Sequence, residues 1–438
     1  VKFELGNIKV GKSNLSTKEV YSYMSQFRSF LESHAPGVKV RPIHNKSLLT
    51  PNFYKKLSKS PGLPFRGWAK DMQAIYDQIG DDAQQRIEDA FECFEANINQ
   101  GVQIADPNQV FSKKDRYKEN KLNSGRLRTI QCSNVFTFLL CVKYLKQYVE
   151  YYEIHLPKMF LITTTDQYQE KVARLRDKFG LPIDFTGFDR CQTSDITFLI
   201  LKNFMEMCSV PLPVMRYILD SVTSPTLFTL DSCVFQCMGM NPSGQYLTSF
   251  QNTLVHMFFN STIYSMLFPI TIPQYLNGSE RFDASMTGDD GVDSFTLLDD
   301  LFIVKKDYPL LLLELYNIEA KMDVPSDKDY YPPGVLPPYL GQVEYYTPSG
   351  YVKIPCHPNR VIVSLTCLPQ GFWSLPDAQD KFRERLLGIS QALSGYFLIK
   401  KICSSYKVPR VVKDLWRLCK EWSVAIDVSV VVPEEFRS

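Results

Sequence analysis

Along the chain, apolar positions change repeatedly between a helical and a strand period, the mark of a mixed helix-and-strand protein. Met72, Ile75, Tyr76 and Ile79 recur at helical spacing and predict helix over 69–100. Residues 133–154 form an apolar, aromatic helix candidate. Leu181-Pro182-Ile183 reads as a short strand leading into an acidic turn from Asp184 to Asp189. Thr193, Ser194 and Asp195 offer caps for the apolar run 196–208, and a second helix starts near Pro213. Residues 243–266 read as a long helix opened by Ser243-Gly244. Phe282 to Phe295 reads as strand, tight turn, strand, turning at Thr287-Gly288-Asp289-Asp290-Gly291. Helix is expected over 305–320, and a hairpin over Tyr339 to Val352 with its turn at Pro348-Ser349-Gly350. The last 65 residues read as mostly helical, one helix running from near Pro376 to Gly395. Residues 1–65 read as irregular, with a turn-rich segment at Ser60-Pro61-Gly62-Leu63-Pro64.

Composition sets bounds on this picture. With 438 residues, 45% of them hydrophobic, the chain buries a large core and more than one lobe is expected. No repeat or low-complexity tract interrupts it. The net charge is only +2, so any nucleic-acid binding must come from positive charge gathered locally. The 11 cysteines form no C-x-x-C pair, which argues against a disulfide framework or structural zinc and for a reducing compartment. Five histidines argue against a histidine-rich metal site. The most apolar long stretch, Val255 to Leu276, is broken by His256, Asn260, Ser261, Ser265, Pro269 and Pro273, so no membrane span is expected. No signal peptide opens the chain. Val1 in place of Met fits release from a longer precursor, and a trimmed chain reads the same.

Candidate chemistry lies in four carboxylates: Asp184, Asp189, Asp289 and Asp290. Nucleotidyl transfer by a two-metal route needs carboxylates from two backbone elements, holding ions about 3.5–4 Å apart. Magnesium prefers such hard oxygen ligands. A carboxylate at a strand end, facing another on a hairpin turn, supplies that geometry. Taken alone, Gly288-Asp289-Asp290 is an ordinary solvated turn, since Gly and Asp favour turns for backbone reasons. A calcium loop is discounted, because neither Asp283 nor Asp289 as a start puts Glu at the twelfth position.

Order and spacing change that weighting. Asp184 and Asp189 form D-x4-D; Ser243, Gly244, Thr248 and Asn252 form S-G-x3-T-x3-N; Gly288-Asp289-Asp290 follows. In this order they resemble motifs A, B and C of the right-hand RNA-dependent RNA polymerases of positive-strand RNA viruses, of picorna-like or astrovirus-like type. Thr248 and Asn252 are four apart and share a helix face, where either can hydrogen-bond a ribose hydroxyl or a carboxylate. The basic segment Lys113 to Ile130 resembles motif F, which implies that Lys114, Lys121, Arg126 and Arg128 contact the triphosphate. Arginine suits phosphate through its planar fork. Ser60 to Phe65 resembles motif G, and Tyr339-Leu340-Gly341-Gln342 sits where motif E belongs but lacks its frequent basic residue. Asn317 to Lys328 resembles motif D, whose lysine protonates departing pyrophosphate; Lys328 fits that place, with Lys321 as the competitor. Thr287 stands where picorna-like relatives often carry tyrosine, a departure that touches no metal ligand.

The resemblance implies an α+β right hand with fingers, palm and thumb, an antiparallel palm sheet and surrounding helices. Fingers would take residues 1–178 with an insertion near 192–235, the palm with motifs A to E 179–354, and the thumb 355–438. Asp184 and Asp289 would be the principal metal ligands, Asp290 a secondary one, for Mg2+ with Mn2+ as an alternative. The Phe185 carbonyl is a further candidate ligand. Asp189, Ser243, Thr248 and Asn252 would select the ribose 2′-hydroxyl. The implied partners are RNA template, nascent RNA and NTPs, with a protein primer and other viral replication proteins also admitted. The implied setting is membrane-associated replication complexes in the host cytoplasm. A reverse transcriptase is the alternative within the enzyme class, disfavoured because Asp189 and Asn252 offer polar groups where such enzymes place bulk. An RNA-binding scaffold on an inactive polymerase fold is the non-enzyme alternative, disfavoured because every expected carboxylate is present.

Overall fold

The computed structural model describes residues 13–35, 41–48, 71–80, 82–104, 107–112, 129–156, 175, 177–192, 194–224, 226–228, 234–236, 241, 243–322, 324, 329–339, 341–347, 350–366, 372–374, 376–402 and 407–424. The chain divides into two compact units. The first takes Val1–Lys171, Ile183–Gly291 and Thr296–Met322; the second takes Val172–Pro182, Val292–Phe295 and Asp323–Ser438.

In the first unit, a helix stands where the sequence read as irregular: α1, Thr17–His34. Its start carries a capping box, Ser16 and Glu19 each satisfying the other's backbone N–H, a signature visible in the sequence. Val20, Met24, Phe27, Phe30 and Leu31 form its buried stripe. After α2 (Asn45–Leu48), the single helix expected over 69–100 is two, α3 (Met72–Ile79) and α4 (Ala83–Asn99), with Gly80 at φ 85° ending the first. Strands β1 (Pro107–Ser112) and β2 (Thr129–Cys132) precede α5, Val135–His155, close to its expected place.

Next come β3 (Phe179–Phe185), the short α6 (Phe188–Cys191), α7 (Ser194–Met207), α8 (Leu212–Thr223), β4 (Thr226–Phe228) and β5 (Val234–Gln236). The long helix expected from Ser243 begins later: α9 is Thr248–Leu267. Gly244 explains the delay. Its φ is +114°, and a Cβ there would come within 2.9 Å of the Gln131 carbonyl oxygen, so this residue shapes a turn packed against β2 and not a first helical turn. Every residue of α9 from Phe250 to Tyr264 is buried. A helix buried all round is a core element, and its polar side chains need internal partners.

After α10 (Ile272–Asn277), strands β6 (Phe282–Thr287) and β7 (Asp290–Phe295) flank the two-residue turn Gly288-Asp289. Helix α11 is Leu298–Tyr316, shifted toward the N-terminus from the expected 305–320. Asp299 in its first turn suits the helix dipole, Asn317 in a left-handed conformation ends it, and β8 (Ala320–Lys321) follows. Arg281 grips Asp300 through two hydrogen bonds of 2.6 and 2.7 Å, fixing where the helix begins.

The strands form mixed and antiparallel sheets. One has the order β2-β1-β4-β5, with β1 antiparallel to β2 and parallel to β4. The other has the order β6-β7-β3-β8. In it β3 and β8 run antiparallel, pairing Asp184 with Lys321 and Phe185 with Ala320.

The second unit holds the expected hairpin, β9 (Gln342–Thr347) with β10 (Gly350–Pro355), and helices α12 (Pro358–Thr366), α13 (Ala378–Ile402) and α14 (Arg410–Glu421). Helix α13 does not stop at Gly395. Buried Leu393, Tyr396 and Ile399 carry it past the glycine, and the Tyr396 hydroxyl donates to the Pro355 carbonyl at 2.7 Å. Packing of an apolar face outweighs the roughly 1 kcal/mol that a mid-helix glycine costs.

Candidate active site

Strand β3 delivers Asp184 to the surface while Ile183 and Phe185 on either side are buried. Directly opposite, on β8, stands Lys321. Paired residues in antiparallel strands project from the same face, so this lysine and Asp184 are same-face neighbours. The second arm is the β6–β7 turn, where Asp289 is exposed and Asp290 half-buried.

Helix α9 holds that turn through two backbone contacts. The Gly288 N–H donates to the Thr253 hydroxyl at 2.9 Å, and its carbonyl lies 3.0 Å from His256 Nδ1. A carbonyl only accepts, so Nδ1 carries the proton in this contact. The His256 ring is fully buried and meets Phe185 edge-on, with centroids 4.6 Å apart. One imidazole thus braces the turn before Asp289 and the residue after Asp184. Gly291 makes room for it: a Cβ there would come within 2.7 Å of His256 Cε1.

Electrostatics ties the arms together. The Asp290 carboxyl is pushed up to about 6, first by burial, then by the negative charges of Asp289 and Asp184. Among the described residues, no group of three or more His, Cys, Asp or Glu side chains stands close enough to hold a metal ion. The two findings agree if the three carboxylates feel one another but stay splayed, as like charges do. Their chemistry, hard oxygens from two backbone elements, fits a divalent cation such as magnesium.

Asp189 lies in α6, where Asn252 of α9 meets it: the Asn252 amide donates to Asp189 Oδ1 at 2.5 Å. The same Asn252 accepts at Oδ1 from Gln192 Nε2 at 2.5 Å and from Asn241 Nδ2 at 2.6 Å. Gln251 Nε2 donates to Gln192 Oε1 at 3.0 Å, Asn241 Nδ2 also donates to the Thr248 carbonyl at 2.8 Å, and the Asn241 N–H donates to the Asp189 carbonyl at 2.7 Å. The Thr248 hydroxyl donates to the Gln245 carbonyl at 3.1 Å, and the Ser243 carbonyl accepts from the Gln131 N–H at 2.7 Å.

The structure therefore brings Asp184, Asp289 and Asp290 into one electrostatic group, and Asp189 and Asn252 into one hydrogen-bonded pair. Lys114, Lys121, Arg126, Arg128, Lys328, the segment Ser60 to Phe65 and Leu340 lie outside the described residues. Sequence reasoning missed Gln192, His256 and the internal roles of Asn241 and Gln251. The available signal was a row of polar residues, Gln251, Asn252, Thr253 and His256, in a helix otherwise apolar enough to be core.

Residues 20–306, well over half the chain, match the family model described as viral RNA-dependent RNA polymerase. The match contains Asp184, Asp189, the Ser243–Asn252 segment and Asp289-Asp290, and stops short of Lys321. No curated protein matches the chain.

Proposed function

The chain belongs to the viral RNA-dependent RNA polymerase family, the positive-strand kind its motifs resemble, and is an RNA-directed RNA polymerase acting on NTPs and an RNA template; we propose that Asp184 and Asp289 hold the divalent ions of a two-metal nucleotidyl transfer. The observation that carries this reading is that carboxylates from two backbone elements share one environment: burial, and then the charges of Asp289 and Asp184, push the Asp290 carboxyl up to about 6. Such perturbed acids cluster at functional sites. When bound, magnesium, or manganese in its place, would lower the pKa of the attacking 3′-hydroxyl and steady the triphosphate. Asp184 and Asp289, both exposed, are the principal ligands in this reading and half-buried Asp290 the secondary one.

The remaining roles belong to the chain's own side chains. Lys114, Lys121, Arg126 and Arg128 bind the triphosphate. Asp189, Asn252, Thr248 and Ser243 select the ribose, and the 2.5 Å contact between the first two supports that pairing. Lys328 protonates the departing pyrophosphate, general acid help worth about 10²–10⁴-fold in rate. Lys321 is the alternative, and its place opposite Asp184 is the observation in its favour. The hand divides into fingers (1–178, with the insertion near 192–235), palm (179–354) and thumb (355–438), and replicates a viral RNA genome at membrane-associated complexes in the host cytoplasm. Among the described residues no helix is long and apolar enough to cross a membrane.

Primer extension on an RNA template with Mg2+ tests this. Asp289→Ala is expected to lose RNA synthesis by at least about 10³-fold; wild-type synthesis would overturn the metal assignment. Incorporation of dNTPs as efficient as that of NTPs would overturn the choice of RNA over DNA.

A further inference from the structure

We propose that Thr253 and His256 of α9 are positioning residues for the metal-binding turn: together they hold both polar groups of the Gly288 backbone and so aim Asp289 at the point where a divalent cation must also meet Asp184. The proposal rests on the reading of Asp184 and Asp289 as the metal ligands.

The sheet alone does not aim Asp289. Strand β7 lies next to β3 in the order β6-β7-β3-β8, and that adjacency sets the strand ends that carry Asp184 and Asp290. Strand β6 ends at Thr287 and β7 begins at Asp290, so Asp289 sits in the turn beyond the ladder. Gly288, just before it, has φ +63°, and a Cβ there would meet nothing within 4 Å. Steric packing at Gly288 therefore gives the turn no fixed direction, and hydrogen bonds must supply it. Helix α9 provides them from one face, because Thr253 and His256 are three apart. The Thr253 hydroxyl gives its own proton to the Ser249 carbonyl at 3.0 Å, so it presents a lone pair to the Gly288 N–H, which donates to it at 2.9 Å. His256 donates from Nδ1 to the Gly288 carbonyl at 3.0 Å. The N–H and the carbonyl of one residue belong to successive peptide planes. Holding both fixes the direction in which the chain enters Asp289.

The imidazole is itself held from the other arm. It meets Phe185 edge-on at 4.6 Å, Phe185 stacks on Phe188 at 4.5 Å, and Phe188 meets Phe259 of α9 edge-on at 6.2 Å. Phe185 follows Asp184 directly, so the aromatic group that seats the imidazole also seats the strand end that carries the first ligand. Thr253 and His256 are both buried in a helix buried all round. Apolar side chains would fill such a helix at lower cost, so core packing does not explain a hydroxyl and an imidazole there. Control of the Gly288 backbone does.

The test uses the full chain with two readouts. Electron paramagnetic resonance measures free Mn2+ in a titration without RNA or nucleotide, and single-nucleotide incorporation on an RNA primer–template is followed against Mg2+ concentration. His256→Leu removes the donor. It is expected to weaken Mn2+ binding about 10–100-fold and to raise the Mg2+ requirement by a similar factor, as loss of a group that orients a ligand does. Incorporation should return to within about threefold of wild type at saturating Mg2+, because the ligands themselves remain. His256→Asn puts an N–H donor back near the place of Nδ1, and should bind Mn2+ within about threefold of wild type. Wild-type Mn2+ affinity in His256→Leu would overturn the proposal. Equal losses in the Leu and Asn variants, with no recovery at high Mg2+, would mean a merely structural role and also overturn it. If His256→Leu fails to fold, Thr253→Val decides, since it keeps the shape and loses the acceptor. Weaker Mn2+ binding there supports the proposal, and unchanged binding overturns it. Asp289→Ala separates the two layers. If it binds Mn2+ like wild type, the metal reading itself fails. If it loses Mn2+ while the α9 variants keep it, the positioning role is wrong and the metal reading stands.

Discussion

The acidic turn and the amide cluster use polar side chains in opposite ways. At the turn and the facing end of β3, three carboxylates feel one another, two of them open to solvent, and burial together with the charges of Asp289 and Asp184 raises the proton affinity of Asp290. In the cluster, four buried amides hand hydrogen bonds from one to the next until they reach Asp189. The first group is electrostatically unfavourable until a cation joins it. The second is held by hydrogen bonds between buried, uncharged groups. In the proposed function the first would accept metal and triphosphate and the second would meet the sugar. Helix α9 touches both regions, through Thr253 and His256 on one side and Asn252 on the other.

If α9 couples the two regions, adding bulk at their junction should damage catalysis most. Gly291→Ala would drive a methyl group to 2.7 Å from the fully buried His256 ring. Overpacking of this kind costs about 1–3 kcal/mol, and the expected outcome is a lower Tm together with a loss of RNA synthesis exceeding about tenfold. Thermal melting and primer extension check it. Near-normal activity would mean that the turn is set independently of α9.

A smaller effect sharpens the contrast from the acidic side. The Asp290 carboxyl is raised from 3.8 to about 6, so the folded chain holds that proton more tightly than the unfolded chain does. Stability of the metal-free protein therefore falls as pH rises from 3.8 to about 6, and the full cost is present above that window. Asp290→Asn should raise the Tm of metal-free protein by roughly 2–4 °C above pH 6 and by almost nothing below pH 4. Melts in chelator across this range check the sign. A destabilised variant would show that the carboxylates are not in repulsion. No such gain is expected for Asn252→Asp, which places a carboxylate against Asp189 in the buried cluster.

The smallest effect concerns the cations that a triphosphate requires beside this acidic group. Arg128→Ala should raise the KM for NTP about tenfold with a lesser change in kcat, as loss of a bidentate phosphate contact does. Steady-state kinetics at fixed template decides it, and an unchanged KM would remove Arg128 from the phosphate site.

How much of this could be read in advance differs between the two regions for the same reason. Asp184, Asp189 and Asp289 stood out in the sequence because the chemistry proposed for them restricts residue type and short spacing leaves a local mark. The β6–β7 turn was legible because Gly-Asp between alternating runs is a turn signal. The amide cluster was hidden because its contacts join residues some sixty positions apart, such as Gln192 and Asn252, and a buried glutamine looks like any other. The start of α9 was misplaced for a similar reason: only the close approach of Gly244 to the Gln131 carbonyl shows why Ser243-Gly244 cannot open it. Helix α1 was missed although Ser16 and Glu19 spell its capping box, because the irregular sequence around it masked the apolar stripe. The pairing of β1 with β4 is parallel and non-local, and no run of adjacent residues encodes it.

The central claim is that two carboxylate arms, one on β3 and one on the β6–β7 turn, act as a single site in RNA synthesis. The most direct measurement is single-turnover incorporation of one NTP by Asp184→Ala at rising Mg2+ and Mn2+. The account predicts a loss of at least about 10³-fold that no concentration of either ion restores. Incorporation at the wild-type rate, at any ion concentration, would contradict it.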